Sequence, residues 1–172
     1  AVELDKNFGR AYAGWAVSAH SLGQLEVEKQ QWDKALSLLD GMTEREKYRT
    51  LGGYFLTTVR DYDKAVENYR MLVEKYPADT GGHTNLALAY FYLLRFPEAL
   101  AEGRLAVQLD RSDVRAATNY ALYAMYASDF KAAEEQAPAL IKNDPAFYLP
   151  YSPLAAAQIM QGRRGEARDT YA

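Results

Sequence analysis

The chain has 172 residues, 49% apolar and 25% charged, with a net charge of −3 and no cysteine. That balance belongs to a globular chain. It excludes disulfides and thiolate chemistry, supplies no electrostatic pull toward nucleic acid or an anionic membrane, and offers no apolar run long enough to span a bilayer.

Residues 1–5 (AVELD) echo residues 106–110 (AVQLD), so 1–7 reads as the end of one helical unit. Residues 8–42 form the first full unit. A first helix carries Tyr12, Trp15 and Ala16, Gly23 makes the turn, and a slightly long second helix covers roughly Leu25 to Leu39. Residues 43–79 open with a capping box, Thr43 with Glu46. Gly52-Gly53 weakens that first helix, Asp61 caps the second and Pro77 ends it. In residues 80–113 Pro97 suits the first turn of the second helix. In residues 114–147 Asp129 is a cap, Pro138 is expected to kink the second helix, and Pro145 ends it. Residues 148–172 hold a partial unit with Pro150 and Pro153 near its start.

A fixed step ties these units together. Ala65, Ala99, Ala133 and Ala167 stand 34 residues apart, as do Gly53, Ala87, Ala121 and Ala155. Tyr62, Phe96 and Phe130 recur at the same step, with Leu72, Ala106 and Leu140 downstream. Between the first and second units the step is 37. Small residues at two fixed phases let paired helices cross closely, while larger apolar residues interlock between units. The predicted turns lie near 23–24, 59–61, 94–96, 128–129 and 162–165. Trp15 and Trp32 are expected in the core. Glu26/Glu28 and Glu134-Glu135 are expected on solvated surface, since adjacent or alternate helix residues do not share a face.

A period of 34 with these small residues resembles the tetratricopeptide repeat (TPR). The resemblance implies an all-α fold, a right-handed α-solenoid of antiparallel helix-turn-helix (TPR) repeats. It also implies a concave surface lined by the first helix of each pair, the A helices. Carried onto this sequence, the second unit offers Lys47, Thr50, Tyr54, Thr57 and Thr58. The third offers Thr84, Asn85, Leu88, Phe91 and Tyr92. The fourth offers Arg115, Thr118, Asn119, Leu122, Met125 and Tyr126, and the fifth Ser152, Ala156, Ile159 and Met160. Asn85 and Asn119 stand where asparagine grips a peptide backbone in this family. Thr50, Thr84 and Thr118 share one phase and would form a polar strip. The basic set that clamps a terminal carboxylate in chaperone-binding relatives is incomplete, with Arg115 its nearest match.

No P-loop, G-x-S-x-G, H-E-x-x-H or dinucleotide fingerprint occurs. His20 and His83, the two histidines, are expected in packing or surface roles, because two isolated imidazoles make no zinc site. The expected activity is therefore binding and not catalysis. No cofactor or metal, no nucleic acid and no membrane insertion is expected, and the partner is a protein or peptide ligand. The open array ends invite homo-oligomer formation. Residues 42–49, 76–79 and 85–92 resemble the repeat tails of bacterial serine/threonine kinase-type signalling proteins. That resemblance implies a cytoplasmic or extracytoplasmic part of a longer bacterial protein, with a regulatory or sensory role as the alternative to a scaffold.

Overall fold

The computed structural model describes residues 2–171 apart from the Asn143 side chain; Ala1 and Ala172, at the two expected partial units, lie outside the described residues. Every regular element among the described residues is helical. The α-helices are α1 (Gly9–Ser21), α2 (Leu25–Ser37), α3 (Glu44–Tyr54), α4 (Tyr62–Lys75), α5 (Thr80–Tyr92), α6 (Phe96–Leu109), α7 (Val114–Tyr126), α8 (Phe130–Asn143), α9 (Tyr151–Met160) and α10 (Arg164–Thr170). None of them is long and apolar enough to cross a membrane. The fold is all-α, a solenoid of helical hairpins. It divides into two compact units, residues 1–85 and 86–172, with the boundary inside α5.

Helix starts follow from their caps. Thr43 accepts from the Glu46 amide, while Glu46 accepts from the Thr43 amide at 2.9 Å, completing the box. Asp61, Asp113 and Asp129 each accept from the amide three residues on. Pro97 occupies the first turn of α6. The helices α4 and α8 end before Pro77 and Pro145, and α8 runs on through Pro138. The helix α9 begins only at Tyr151, after Pro150.

The turn inside each hairpin places one residue in the left-handed region: Gly23, Arg60, Leu94, Ser128 and Gly162, with φ of 68°, 58°, 59°, 61° and 78°. At four of them two tightening bonds close the end of the helix. The amide of Asp129 reaches the carbonyl of Ala124 at 2.9 Å, and that of Ser128 reaches Met125 at 3.1 Å. Gly23-Gln24, Leu94-Arg95 and Gly162-Arg163 repeat the pair. Three of the five residues are not glycine, so the sequence carries only part of this signal.

In the first unit, α1 and α2 pack as a hairpin, as do α3 and α4, and α1 also touches α3. Ala13, Ala16, Trp32 and Ala35 form a buried cluster with Tyr12 and Tyr54 against it. The second helix of the first hairpin is not long. It stops at Ser37, and a short 3-10 turn, Leu39–Gly41, follows it. The next A helix starts early, at Glu44, and its last turn widens into a π-type turn over Phe55–Val59. Extra residues inside a helix are absorbed by such widening. The step of 37 is thus shared between the connection and α3 and is not a longer α2.

In the second unit α6 packs on α7, α7 on α8, α8 on α9 and α9 on α10, and α7 touches α9. Tyr120, Ala124, Ala132, Ala133 and Ala157 make its core, with Leu100, Val107, Met125 and Phe130 around them. The crossing alanines Ala65, Ala99 and Ala133 are 0% exposed, as close helix approach requires.

Large rings are matched to glycines at the crossings. A methyl group at Gly52 would lie 2.8 Å from Tyr69 Cζ, and one at Gly53 would lie 3.4 Å from the Trp32 ring. At Gly103 the neighbour would be Tyr123, at 3.1 Å. Gly52-Gly53 costs helix propensity, but it makes room for two aromatic cores.

Trp32 is buried as expected, whereas Trp15 is 45% exposed. A residue at a contact phase is covered only if another helix lies against it, and no helix among the described residues precedes α1. Leu154 is buried, while Ile159 and Met160 on the same helix are 52% and 66% exposed.

Candidate functional site

The A helices α3, α5 and α7 carry the predicted lining, which falls separately in each compact unit. In the first unit Tyr54 closes α3 and packs edge-on against Trp32, with centroids 5.4 Å apart, and against Phe55 at 5.6 Å. Lys47 is partly buried. The Asn85 side-chain amide donates to the buried Tyr69 hydroxyl, whose pKa is raised by burial. Asn85 therefore already has an internal partner.

The threonine strip does not form as expected. Thr50, Thr84 and Thr118 are all buried. Thr84 and Thr118 donate to the carbonyls of Thr80 and Val114 one turn back, at 2.9 and 2.7 Å, and Thr50 donates to Met42 Sδ at 3.5 Å. Their shared phase marks helix contact, with each hydroxyl satisfied locally.

In the second unit the lining gathers into one aromatic cluster. Phe91 meets Tyr123 and Tyr126, each at 5.2 Å between centroids. Phe96 stacks on Tyr126 at 5.2 Å and lies 5.7 Å from Phe91, and Tyr92 flanks Phe91 at 6.2 Å. Tyr92 and Tyr126 remain 48% exposed each. Leu88, Leu122 and Met125 are partly buried on the same A helices, as is Asn119, while Arg115 is exposed. The Asn119 side-chain amide has no hydrogen-bond partner among the described residues.

Phe96 and Tyr123 were not among the expected lining residues. Phe96 sits at the turn phase, where its aromatic recurrence with Tyr62 and Phe130 looked purely structural. Tyr123 fills the space over Gly103. The first two units carry a ring of their own at the phase of Gly103, Trp32 and Tyr69. The Tyr123 hydroxyl is buried without a partner.

Glu28 overturns the expectation of solvated surface. Counting back 37 residues from Ala65 places it at the crossing phase, and it is 4% exposed. Thr58 donates to it at 2.6 Å, and His20 Nδ1 lies 3.0 Å away. Burial opposes the charged form, but these hydrogen bonds outweigh it and hold the carboxyl below its ordinary range. His20 and Thr58 come from the ends of the first two A helices, so this carboxylate joins them. His83 is buried, with its Nε2 3.0 Å from the Pro77 carbonyl.

The abundant tyrosines also have a structural use. Tyr12, Tyr48, Tyr76 and Tyr90 lie under the cationic groups of Lys34, Lys75, Arg45 and Arg95, at 4.7–5.9 Å.

Paired helices with small crossing residues and a recurrent turn define the tetratricopeptide-repeat fold. YrrB, described as a TPR protein with an unusual peptide-binding site, superposes with a TM-score of 0.70 at 19% identity, over 99% of this chain and 86% of its own. TTC0263, a thermophilic TPR protein of Thermus thermophilus, does so with a TM-score of 0.70 at 20% identity, over 95% and 88%. The second TPR domain of human RPAP3, solved with the HSP70 peptide SGPTIEEVD, gives 0.61 at 18% identity, over 67% and 95%. No protein-family profile and no curated protein sequence matches the chain.

Proposed function

We propose that this chain is a protein- or peptide-binding scaffold whose A helices hold an extended or helical segment with apolar or aromatic anchors. One observation carries the reading. Tyr92 and Tyr126 stand half exposed in a five-ring cluster, beside Leu122, Met125 and the unpartnered Asn119 side-chain amide. Rigid aromatic area is where binding energy concentrates, methionine adapts to partner shape, and a free carboxamide offers a donor and an acceptor to a peptide backbone. Similar folds in YrrB and RPAP3 have peptide-binding surfaces, which supports the reading. Within the predicted lining of the second unit, the contacts assigned to ligand are Leu88, Phe91, Tyr92, Arg115, Asn119, Leu122, Met125 and Tyr126. The buried threonines are left to packing.

The test is a partner recovered with the parent chain from source cells and then titrated. The double variant Asn119→Ala/Tyr126→Ala should weaken its binding by about 2 kcal/mol or more without loss of helicity. A partner that binds this variant as tightly as the parent sinks the reading.

A second reading is self-assembly, favoured by the open faces of both units: Trp15, Leu22 and Leu25 in the first, and Ile159, Met160 and Tyr171 in the second, each at least 45% exposed. Sedimentation showing a strict monomer at high concentration would remove it. The kinase-type resemblance supports a regulatory segment, which the full-length gene would test through an upstream kinase domain.

A further inference from the structure

Two clefts in the second unit occupy the same place in successive repeats. The first, about 250 Å³, is lined by Arg104, Val107 and Gln108 of α6, Tyr120 of α7, and Glu135 and Gln136 of α8. The second, about 440 Å³, is lined by the residues standing 34 further on: Pro138, Ile141, Lys142, Leu154, Asp169 and Thr170. In the first cleft the chain uses the space itself. Tyr120 lies against it, 3% exposed, and Arg104 extends beside it to Asp129 at 3.6 Å. In the second cleft Leu154 stands for that ring and Pro138 for that arginine. These smaller side chains open it into the size range of small-molecule sites, about 300–1,000 Å³. Tyr151, where the earlier repeat has Ala117, adds an aromatic wall. Its hydroxyl donates to the Pro145 carbonyl at 2.9 Å, which fixes the ring.

Opposite charges stand on the two flanking helices. Lys142 on α8 has no ion pair or hydrogen bond among the described residues. Asp169 on α10 pairs with its neighbour Arg168 at 3.2 Å, with both side chains more than two-thirds exposed. Such a pair contributes little and leaves the carboxylate able to take another cation. Thr170 is committed, donating to Gln158 Oε1 at 2.8 Å. An apolar floor with one cation and one anion at its rim matches a zwitterion with an apolar body. What this repeat has lost from the place, relative to the one before, is an aromatic ring. We propose that the cleft binds a free aromatic α-amino acid of the phenylalanine class. Its ring takes the space that Tyr120 uses one repeat earlier, against Leu154, Ile141 and Tyr151, where aromatic pairs favour edge or offset contact. Its carboxylate meets Lys142 and its ammonium meets Asp169. None of these residues belongs to the lining assigned to peptide, so the site is independent of the groove reading.

The experiment titrates the 172-residue chain with L-phenylalanine and reads the methyl NMR shifts of Ile141 and Leu154. Saturable shifts should appear below about 10 mM. Four analogues dissect the contact. Phenylpropionate lacks the ammonium, phenethylamine lacks the carboxylate and L-alanine lacks the ring. N-acetylphenylalanine amide stands for an aromatic side chain of a partner protein. Each should bind at least about threefold more weakly than phenylalanine. Lys142→Gln should weaken phenylalanine about threefold and leave phenethylamine unchanged. Asp169→Asn should weaken phenylalanine to the same degree and leave phenylpropionate unchanged. Leu154→Tyr, which restores the ring of the earlier repeat, should abolish the Ile141 shift. If that core variant fails to fold, the two exposed variants and the analogues still decide. The proposal is overturned if phenylalanine gives no saturable shift in that range, or if neither charge variant weakens it. It is equally overturned if alanine or the capped amide binds as tightly as phenylalanine, and for the capped amide the cleft would then belong to a partner's aromatic side chain. The outcome is read separately from the Asn119/Tyr126 test, and either reading can fail alone.

Discussion

Tyr69 and Gly52 are a matched pair: the ring of one occupies the volume where any side chain on the other would begin, 2.8 Å from Cζ. Tyr69 is 2% exposed and cannot swing aside. Gly52→Ala gains about 1 kcal/mol of helix propensity, but overpacking at a crossing costs roughly 1–3 kcal/mol. The variant should therefore unfold at lower denaturant than the parent. Combining it with Tyr69→Leu should recover part of the loss, and a double-mutant cycle with no coupling would count against the contact.

The turn residues give a prediction of opposite sign. Leu94 and Ser128 adopt φ near 60° without being glycine, a conformation that costs a non-glycine residue about 1 kcal/mol or more. Leu94 is 73% exposed, so little burial is lost with its side chain. Leu94→Gly and Ser128→Gly should each raise stability by roughly 0.5–1 kcal/mol in chemical denaturation. A loss of stability in both would show that the turns relax elsewhere.

Glu28 makes stability depend on pH. Its folded-state pKa is depressed by Thr58 and His20, so its contribution is fully present above the unfolded value, ordinarily 4.5. It disappears as pH falls through the folded value. Between pH 6 and pH 3 the parent should lose more Tm than Glu28→Gln, which cannot titrate. Parallel Tm curves for the two would mean that the carboxylate contributes nothing specific.

Tyr123 carries a buried hydroxyl with no partner, and burial pushes its pKa up. Leaving such a group unsatisfied costs about 1–3 kcal/mol. Tyr123→Phe keeps the ring over Gly103 and removes the orphan, so it should be neutral or more stable by about 1 kcal/mol in urea unfolding. A clear destabilisation would reveal a partner for the hydroxyl.

The hairpin arrangement was legible because small residues are obligatory where helices cross, and they leave a period that no local accident imitates. Ala65, Ala99 and Ala133 carry that signal, and they are fully buried. Glu28 was not legible as their counterpart, because the longer step shifts its phase and a carboxylate there violates the rule. Thr50, Thr84 and Thr118 were misread for another reason. Phase says which side of a helix a residue faces, but not whether a neighbouring backbone has already covered it. Tyr92 and Tyr126 stand half exposed on A helices, where the sequence pattern could place them, whereas Phe96 enters the cluster from a turn, outside any A-helix pattern.

The Gly103–Tyr123 match constrains how an array like this can grow or shrink. Gly103 belongs to one hairpin, and the ring that fills its space belongs to the next. In the second hairpin the ring and the glycine, Tyr69 and Gly52, are both its own. A duplication or deletion that set a different hairpin after Gly103 would leave a ring-sized void there, while an insertion placing Tyr123 against a side chain would clash. Gene rearrangements at that seam should survive only when α6 and α7 travel together, so the unit of inheritance there is the helix pair α6–α7 and not the hairpin.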